Sequence, residues 1–426
     1  METNNQKNDQ NIIPNDADKQ QKGVNVPNLR FPNFNSVWQK NKFGNLLTLL
    51  KNNTLSRAEL NYENGKIKNI HYGDVLIKFN DFVLSDSKII PYINDDSIPH
   101  NYADLLLKTG DLIIADTAED YTVGKATELI FNDQSLIISG LHTIPCRPIN
   151  NIFGSKYLGY YINSPSFHNQ LLPLIQGIKV SSISKSQIVD TFISYPKINE
   201  QCKITEFLTL IDQRIDTQSK IIEDLESFKK GIWNYIYLTK SSDWKCVKLS
   251  DILCERKDFA LKGDAFIHAT LSKDGIFAKT DRYDRDFLVT NDEKEYKITR
   301  LNDICYNPAN LKFGVICLNK FGDAIFSPIY VTYIVKNDFI PSFVELILTS
   351  SMFLKYIRKY EQGTVYERMA VNSEDFLKGE ILIPTKDKQK AIADYFDMLD
   401  LKIKKEKDIL ELYKKQKAYL LKNMFI

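Results

Sequence analysis

Two long heptad patterns, separated by 188 residues, constrain the fold of this chain more than any other feature. In each pattern, apolar residues alternate at spacings of four and three, which is the a/d seam of a coiled coil. The first seam contains Ile204, Leu208, Ile211, Ile215, Ile222, Leu225, Ile232 and Ile236. The second contains Ile392, Phe396, Leu399, Ile403, Leu410, Tyr413, Leu420 and Met424. Even the polar interruptions recur, because Gln218 and Lys229 are matched by Glu406 and Lys417.

The repeat also extends upstream of both seams. Residues 157–177 align without a gap on residues 343–363 at a shift of 186. Pro196 and Pro384 then align just before the seams at a shift of 188, so one half has gained two residues. An internal repeat of this kind indicates a duplicated structural unit.

The order of the repeated parts predicts the architecture. We expect an α+β fold in which two globular domains are joined by two long antiparallel coiled-coil helices, with an internal pseudo-two-fold repeat. The helices should be antiparallel because the first leaves domain one and the second, starting at domain two, must return to pair with it. The expected parts are a disordered or loose arm at 1–30, domains at 31–198 and 242–385, and helices at 199–238 and 386–426.

Within the globular domains, short apolar runs between turn residues predict strands. The clearest runs in the first domain are Ile67–Ile70, Asp74–Phe79, Asp111–Ala115 and Leu136–Ser139. Helices are predicted at about 154–172 and 341–358, ahead of the two seams.

The charges of the two seam segments favour pairing. Residues 199–237 contain 5 Lys or Arg and 7 Asp or Glu, whereas residues 389–426 contain 9 Lys and 6 Asp or Glu. Opposite net charges suit two helices that pack together. Two unpaired helices with solvated faces could show the same charges by chance. The prediction that the helices pair therefore rests on the heptad seam.

Composition narrows the class of protein. The apolar runs are shorter than the roughly 18 residues that a membrane span needs, and a secretory pattern is missing from the first residues. The six cysteines contain no Cys-x-x-Cys pair. They are therefore interpreted as reduced thiols of a cytoplasmic protein, and no metal site is predicted.

Catalytic patterns are weak. No two of the 17 glycines are spaced as Gly-x-Gly, so a dinucleotide or methyl-donor loop is not predicted. Asn307–Asn310 resembles part of an adenine-methyltransferase loop, but its composition is that of a turn. Asp292 with Glu295–Lys297 has nuclease-like spacing that is common in exposed strands. We therefore predict a chain without its own catalytic site.

The order of the parts, in duplicate, resembles the specificity subunit of type I restriction-modification enzymes over nearly the whole chain. Asp212 and Asp400 in the two predicted helices and the Gln-Gly pairs at 176–177 and 362–363 belong to this resemblance. Further matching segments are Val26–Phe31 ahead of Trp38, Ile70–Asp74, Lys108–Leu112, Ser272–Gly275, and the strand ends at Ile193–Pro196 and Ile383–Pro384.

The resemblance implies a non-catalytic DNA-binding subunit. Each globular domain would be a target recognition domain that reads one half of a bipartite site in double-stranded DNA. The helices would set the spacer and dock two methyltransferase subunits, whose S-adenosylmethionine-dependent reaction methylates an adenine in each half-site. Two restriction subunits would add ATP- and Mg²⁺-dependent translocation and cleavage. All these cofactors belong to the partners, and none to this chain.

Candidate DNA contacts are polar and basic residues on loops, because phosphate contacts position a protein and base-edge contacts give sequence specificity. In domain one the candidates are Lys66, Lys68, Lys125, Lys179, Ser181 and Ser182. In domain two they are Lys273, Lys279, Arg282, Arg285, Lys312, Tyr366 and Arg368.

Two other functions stay open at this point. A coiled-coil scaffold that never meets DNA is favoured by the net charge of only +2. An adenine-N6 DNA methyltransferase is the third possibility, and the missing cofactor loop argues against it.

Overall fold

The computed structural model of the chain describes residues 25–95, 105–177, 180–261, 266–279, 295–363 and 369–426. They form two compact units. Unit 1 combines the chain up to Ser219 with Ile409–Ile426, and unit 2 is Lys220–Asp408. The predicted domains followed chain order, whereas each observed unit includes a part of both long helices. A helix of about 40 residues is roughly 60 Å long, which is too long to be buried within one small domain.

Unit 1 is built mainly from short strands. Its elements are β1 (Gln39–Lys42), α1 (Phe43–Leu46), β2 (Leu47–Leu49), β3 (Leu60–Asn61), β4 (Ile67–Ile70), α2 (Tyr72–Ile77), β5 (Phe82–Leu84), β6 (Tyr92–Ile93), β7 (Leu112–Ala115), β8 (Thr117–Ala118), β9 (Ala126–Ile130), β10 (Leu136–Ser139), β11 (Thr143–Pro148), α3 (Tyr157–Ile162), α4 (Pro165–Leu171), β12 (Ser181–Ser182), α5 (Lys185–Ile188), β13 (Phe192–Tyr195) and the start of α6 (Ile198–Leu238).

These strands form two larger sheets and two ribbons. One sheet has the order β2-β11-β7-β9-β5, and the other has the order β10-β4-β6-β3. Strands β10 and β4 pair in parallel, and so do β5 and β9. The ribbons are β1-β13 and β12-β8. All four residues of β7 are buried, as expected for a central strand covered on both faces.

Unit 2 follows a related plan. Its elements after the end of α6 are β14 (Lys245–Lys248), α7 (Leu249–Ile252), β15 (Leu253–Glu255), β16 (Phe259–Leu261), β17 (Ile267–Ser272), β18 (Gly275–Ala278), β19 (Glu295–Thr299), β20 (Ile304–Tyr306), β21 (Ile316–Leu318), β22 (Ala324–Phe326), β23 (Val331–Val335), α8 (Pro341–Leu348), α9 (Ser351–Ile357), α10 (Ser373–Leu377), β24 (Glu380–Ile383) and the start of α11 (Lys386–Asn423).

The element pairings repeat those of unit 1. Ribbon β14-β24 corresponds to β1-β13, and each is followed by a one-turn helix, α7 or α1. Strands β17 and β22 pair in parallel, as β4 and β10 do. Helices α8 and α9 stand where unit 1 has α3 and α4. The predicted α+β class and the duplication are therefore confirmed at the level of the fold.

Several local predictions need refinement. The helix predicted at about 154–172 is two helices, because Ser164 is extended and Pro165 starts a new helix. The strand predicted at Asp74–Phe79 is wrong, since Asp74 to Ile77 lie within helix α2. His71 caps this helix by accepting the N–H of Gly73. A short apolar run fits a strand and a buried helix equally well, so periodicity alone misassigned it.

The prediction of a loose arm at 1–30 is wrong for its last residues. Arg30 makes a bidentate ion pair with Glu200, at 2.7 Å for both contacts. The N–H of Leu29 donates to the carbonyl of Asn423. This part of the chain is therefore fixed within unit 1, while residues 1–24 lie outside the described residues.

Candidate docking helices and nucleic-acid interface

The two long helices pack against each other within each unit. In unit 1, Ile204, Leu208 and Ile211 share a core with Leu420 and Met424. In unit 2, the ring of Trp233 packs edge-on against that of Phe396, at 5.8 Å between centroids. All 16 predicted seam residues are buried or half-buried, and none of them is exposed. This burial is what the predicted seam requires.

The direction of packing is antiparallel in each unit. In unit 1, Trp38 contacts both Glu200, near the start of α6, and Phe425, beyond the end of α11. In unit 2, α6 residues Glu226 and Trp233 contact Lys407 and Phe396 respectively, so the partner number falls as the α6 number rises.

A lysine and an aspartate join the two helices in each unit. Nζ of Lys417 lies 2.6 Å from Asp212 in unit 1, and Lys229 is ion-paired with Asp400 in unit 2. A shift of 188 converts Lys229 into Lys417 and Asp212 into Asp400, so both pairs arise from one ancestral pair of positions.

The pair in unit 1 belongs to a larger buried network. Lys417 also reaches Asp81 at 2.5 Å, and the hydroxyl of Tyr160 donates to Asp212 at 2.6 Å. Burial opposes the charge of Lys417, but the two carboxylates outweigh it and raise the pKa of the ammonium. Asn163 completes the network by donating to Asp81 at 2.8 Å.

Repeated glutamines fasten the start of each long helix. Gln201 donates to the carbonyl of Pro196, and Gln389 donates to the carbonyl of Pro384. Each side-chain oxygen accepts a backbone N–H, from Gly154 in unit 1 and from Ile340 in unit 2. Both glutamines are buried and separated by 188 residues, so this contact is a further part of the duplication.

The outer faces of the helices carry exposed apolar residues. Leu210 and Ile409 are exposed in unit 1, and Ile221 and Met398 are exposed in unit 2. The shift of 188 relates Leu210 to Met398 and Ile221 to Ile409. Each unit therefore has an exposed apolar residue on each helix at positions that the repeat relates.

The predicted DNA contacts of unit 1 differ in exposure. Lys66 and Ser182 are exposed, and Ser181 is half-buried. Lys68 is buried, and its Nζ donates to the carbonyl of Ser85 at 2.5 Å. Nζ of Lys125 donates to the carbonyl of Leu76, and burial lowers the pKa of this lysine. Lys179 lies outside the described residues.

In unit 2, Lys273 is exposed in the turn between β17 and β18, beside a groove of about 420 Å³. Lys312 is exposed, with its ammonium 5.1 Å from the ring centroid of Phe313. Lys279 is half-buried. The remaining candidates, Arg282, Arg285, Tyr366 and Arg368, lie outside the described residues.

The segment with nuclease-like spacing has a different environment from a metal site. Lys297 in β19 donates to Glu255 at 2.6 Å, and Asp292 lies outside the described residues. In the part of the chain that the structure describes, no three His, Cys, Asp or Glu residues are grouped so that they could hold a metal ion. Among the same residues, no helix is long and apolar enough to cross a membrane.

One charged cluster of unit 1 was missed by sequence reasoning. Arg57, Tyr62 and Lys78 converge on the buried carboxylate of Asp74. Asp74 belongs to a segment that carried the family resemblance, so a signal existed for it. Arg57 and Tyr62 lie in connections without any periodic pattern, and only the fold brings them together.

Comparisons with known proteins agree with this architecture. Residues 35–227 match the family model of the type I restriction modification DNA specificity domain. A putative type I restriction enzyme MjaX specificity subunit from Methanocaldococcus jannaschii is 26% identical over 174 residues. That alignment covers 40% of this chain and 40% of the relative, which is less than half of each.

Two solved structures share the fold. A type I restriction-modification S subunit from M. genitalium gives a TM-score of 0.53 at 13% identity, covering 94% of this chain and 99% of that one. A chain from work on complex assembly and conformational transition of the type I R-M system gives a TM-score of 0.54 at 12% identity. Here the coverage is 90% of this chain and 96% of the other.

Proposed function

Because residues 35–227 match the family model of the type I restriction modification DNA specificity domain, we propose that this chain is the DNA specificity subunit of such an enzyme. It reads a bipartite site in double-stranded DNA and is not itself catalytic. The observation that carries this proposal is the duplication of fold, helix pairing and ion pairs in two units. A duplicated reader suits a target with two specific halves.

The features that recur in both units and the features found in one unit suggest different roles. A function common to both units should use features that recur, and a function that differs between the half-sites should use features that do not. The helix pair, the glutamine contacts and the outward apolar residues recur. We therefore propose that the helices hold the spacer length and dock partners, while loops of the globular parts read the bases.

The recurring apolar pairs support two copies of one partner. Leu210 and Ile409 in unit 1 have their repeat-related counterparts, Met398 and Ile221, in unit 2, so each unit offers exposed apolar residues to one copy of a partner. We propose that these are the methyltransferase subunits, each acting on the adenine of one half-site. Two restriction subunits complete the enzyme. S-adenosylmethionine, ATP and Mg²⁺ are bound by these partners, and the assembly works in the cytoplasm.

Among the predicted DNA contacts, exposed groups are the stronger part of the proposal. Lys66 and Ser182 in unit 1, and Lys273 and Lys312 in unit 2, are accessible to DNA. Lys68 is left out, because its ammonium is buried against a carbonyl and would have to give up that bond to reach a phosphate.

Sequencing of methylated bases in the host genome tests the proposal. We expect an adenine-methylated motif with two specific halves and an unread spacer in the parent strain. Deletion of the gene should abolish methylation of this motif, and its return on a plasmid should restore it. A methylation pattern that is unchanged by the deletion would contradict the proposal and leave the coiled-coil scaffold as the explanation.

A further inference from the structure

Four side chains of unit 1 form a charged cluster that the proposed function does not yet use. They are Arg57, Tyr62, Asp74 and Lys78, and they are called the Arg57 cluster below. Asp74 lies in the first turn of α2 and is 0% exposed. Each of its two oxygens pairs with a different cation: Oδ2 lies 2.8 Å from Arg57, and Oδ1 lies 3.1 Å from Lys78.

Tyr62 ties the two cations to the carboxylate. Its hydroxyl donates to Oδ1 of Asp74 at 3.1 Å and accepts from Arg57 at 2.9 Å. The ammonium of Lys78 also donates to this hydroxyl and lies 4.2 Å from the centroid of the Tyr62 ring. Both cations are therefore held in place before any ligand arrives.

The cluster carries an excess of positive charge at the surface. Two cations share one carboxylate, and the side chains of Arg57 and Lys78 are still 43% and 40% exposed. Partial burial alone would lower the pKa of both groups, but bonds with Asp74 and Tyr62 outweigh it and raise both values. Both side chains thus stay protonated at every physiological pH.

Unused hydrogen-bond donors accompany this charge. A guanidinium has five N–H donors and an ammonium has three. Arg57 directs one donor each to Asp74, Tyr62 and Nδ1 of His71, which lies 3.4 Å away. Lys78 directs two donors to Asp74 and Tyr62. Donors on both side chains remain available to an anion with several acceptor oxygens.

We propose that the Arg57 cluster binds a backbone phosphate of the DNA duplex. This inference rests on the proposed function, and it adds a positioning contact that neither the family match nor the sequence assigned. A phosphodiester supplies the acceptor oxygens and the negative charge that the cluster lacks. Pre-ordered side chains lose less conformational entropy on binding than mobile surface lysines do.

The position of the cluster in the chain supports a DNA-facing role. Tyr62 and the exposed Lys66, one of the predicted DNA contacts, lie in the same connection between β3 and β4. Unit 2 has a different arrangement here, because β17 leads into a hairpin with β18 where β4 leads into α2. The Arg57 cluster therefore positions the DNA at the half-site of unit 1, and other residues of that unit read the bases.

A neutralised cluster tests the inference without leaving a buried charge unpaired. The variant combines Arg57→Gln, Asp74→Asn and Lys78→Gln in the full chain, assembled with its methyltransferase partner. Affinity for a duplex carrying the host's methylated motif is measured over a series of salt concentrations. We expect the slope of log affinity against log salt to become shallower by about 0.9, the value for one phosphate contact.

At a fixed salt concentration, the same variant should bind about tenfold more weakly, as for the loss of one charge-assisted hydrogen bond. The matched control is Lys42→Gln, which also removes one positive charge from unit 1. Lys42 is in ribbon β1-β13, paired with the exposed Asp190. The slope measured for this control should equal that of the wild type.

The outcomes separate this inference from the proposed function. A neutralised variant with wild-type slope and affinity shows that the cluster only stabilises α2, and overturns the inference alone. A wild-type complex that binds no DNA overturns the proposed function as well. If the variant does not fold, acetylation of wild-type lysines decides. Protection of Lys78 by DNA without protection of Lys42 supports the inference, and unchanged reactivity of Lys78 overturns it.

Discussion

Lys417 and Asp212 form an ion pair that has a counterpart in the other half of the chain. Nζ of Lys417 is 2.6 Å from the Asp212 carboxylate, and Lys229 pairs with Asp400 at the positions related by 188 residues. The lysine comes from α11 in one pair and from α6 in the other. Each pair therefore holds the antiparallel register of the two helices within its own unit.

Replacement of Lys417 should be strongly destabilising. Lys417→Met would leave Asp81 and Asp212, whose side chains are 7% and 9% exposed, without their cation. We expect a loss of roughly 3–5 kcal/mol in the free energy of unfolding, measured by urea denaturation. Lys414→Met is the control, because its pair with Glu411 is exposed and should contribute at most about 1 kcal/mol.

A further variant separates charge from packing at this site. Adding Asp81→Asn and Asp212→Asn to Lys417→Met should recover much of the lost stability, since no unpaired charge remains. Equal losses for Lys417→Met and Lys414→Met would show that the buried network does not stabilise the fold.

The related pair in unit 2 should be weaker. The side chains of Lys229 and Asp400 are 27% and 41% exposed, so water screens their attraction. A double-mutant cycle with Lys229→Ala and Asp400→Ala should give a coupling of about 1 kcal/mol or less. The same cycle on Lys417 and Asp212 should give a larger value. A larger coupling energy for Lys229 and Asp400 than for Lys417 and Asp212 would mean that burial does not set the strength of these ion pairs.

Stability should depend on pH through Glu128. This carboxylate is buried in unit 1 and accepts the N–H groups of Lys156 and Gly159. Burial outweighs these bonds and raises the pKa of Glu128 from 4.5 to about 7. The folded state therefore holds the proton more tightly than the unfolded state does. The resulting stabilisation is complete below about pH 4.5 and is lost as the pH rises through about 7.

Glu128→Gln isolates this contribution, because the amide has no proton to lose in this range. The free energy of unfolding of the wild type should fall, relative to that of the variant, between about pH 4.5 and about 7. Parallel pH profiles for the two proteins would show that folding does not raise the pKa of Glu128.

Exchange of one globular part should change one half of the recognised motif. Residues 242–385 would be replaced by the equivalent region of a relative, with both long helices kept. Sequencing of methylated bases should then show one new half-site, with the other half and the spacer unchanged. A simultaneous change in both halves would contradict independent reading by the two units.

Matched heptad insertions should lengthen the spacer. Ile215 lies three residues after Asp212, and Lys414 lies three residues before Lys417. Seven residues inserted after Ile215 and seven inserted before Lys414 therefore keep the seam in register. They should move the recognised halves apart by roughly 10 Å, or about three base pairs. An insertion in α6 alone should break register and lower the melting temperature.

The readout is the spacer of the methylated motif in cells that carry the doubly extended chain. An active enzyme with the original spacer would contradict the role of the helices in setting the distance.

The sequence predicted the long helices well, because the spacing of four and three residues recurs over many turns in each seam. It placed Lys229 and Lys417 inward but did not predict their partners, since the spacing of one helix does not reveal the register of two. Lys68 was predicted to face DNA. The structure places it on β4, between β10 and β6, where its ammonium bonds a carbonyl.

Clusters formed by residues far apart in the chain could not be predicted from the sequence. Arg57 and Asp74 meet only because β4 and α2 fold back onto the connection that follows β2. The helix α2 was itself missed, because histidine is an uncommon N-cap and the apolar run is short.

Unit 1 is assembled from two distant parts of the chain, and this has a consequence for synthesis on the ribosome. Unit 2 is continuous, so it can fold as soon as residues 220–408 have emerged. Unit 1 must wait, because Phe425 packs on Trp38 and the carbonyl of Ile426 accepts the hydroxyl of Tyr161. The N-terminal part of unit 1 is thus translated before unit 2 but completed after it, and a chain truncated within α11 should lose the integrity of its N-terminal half first.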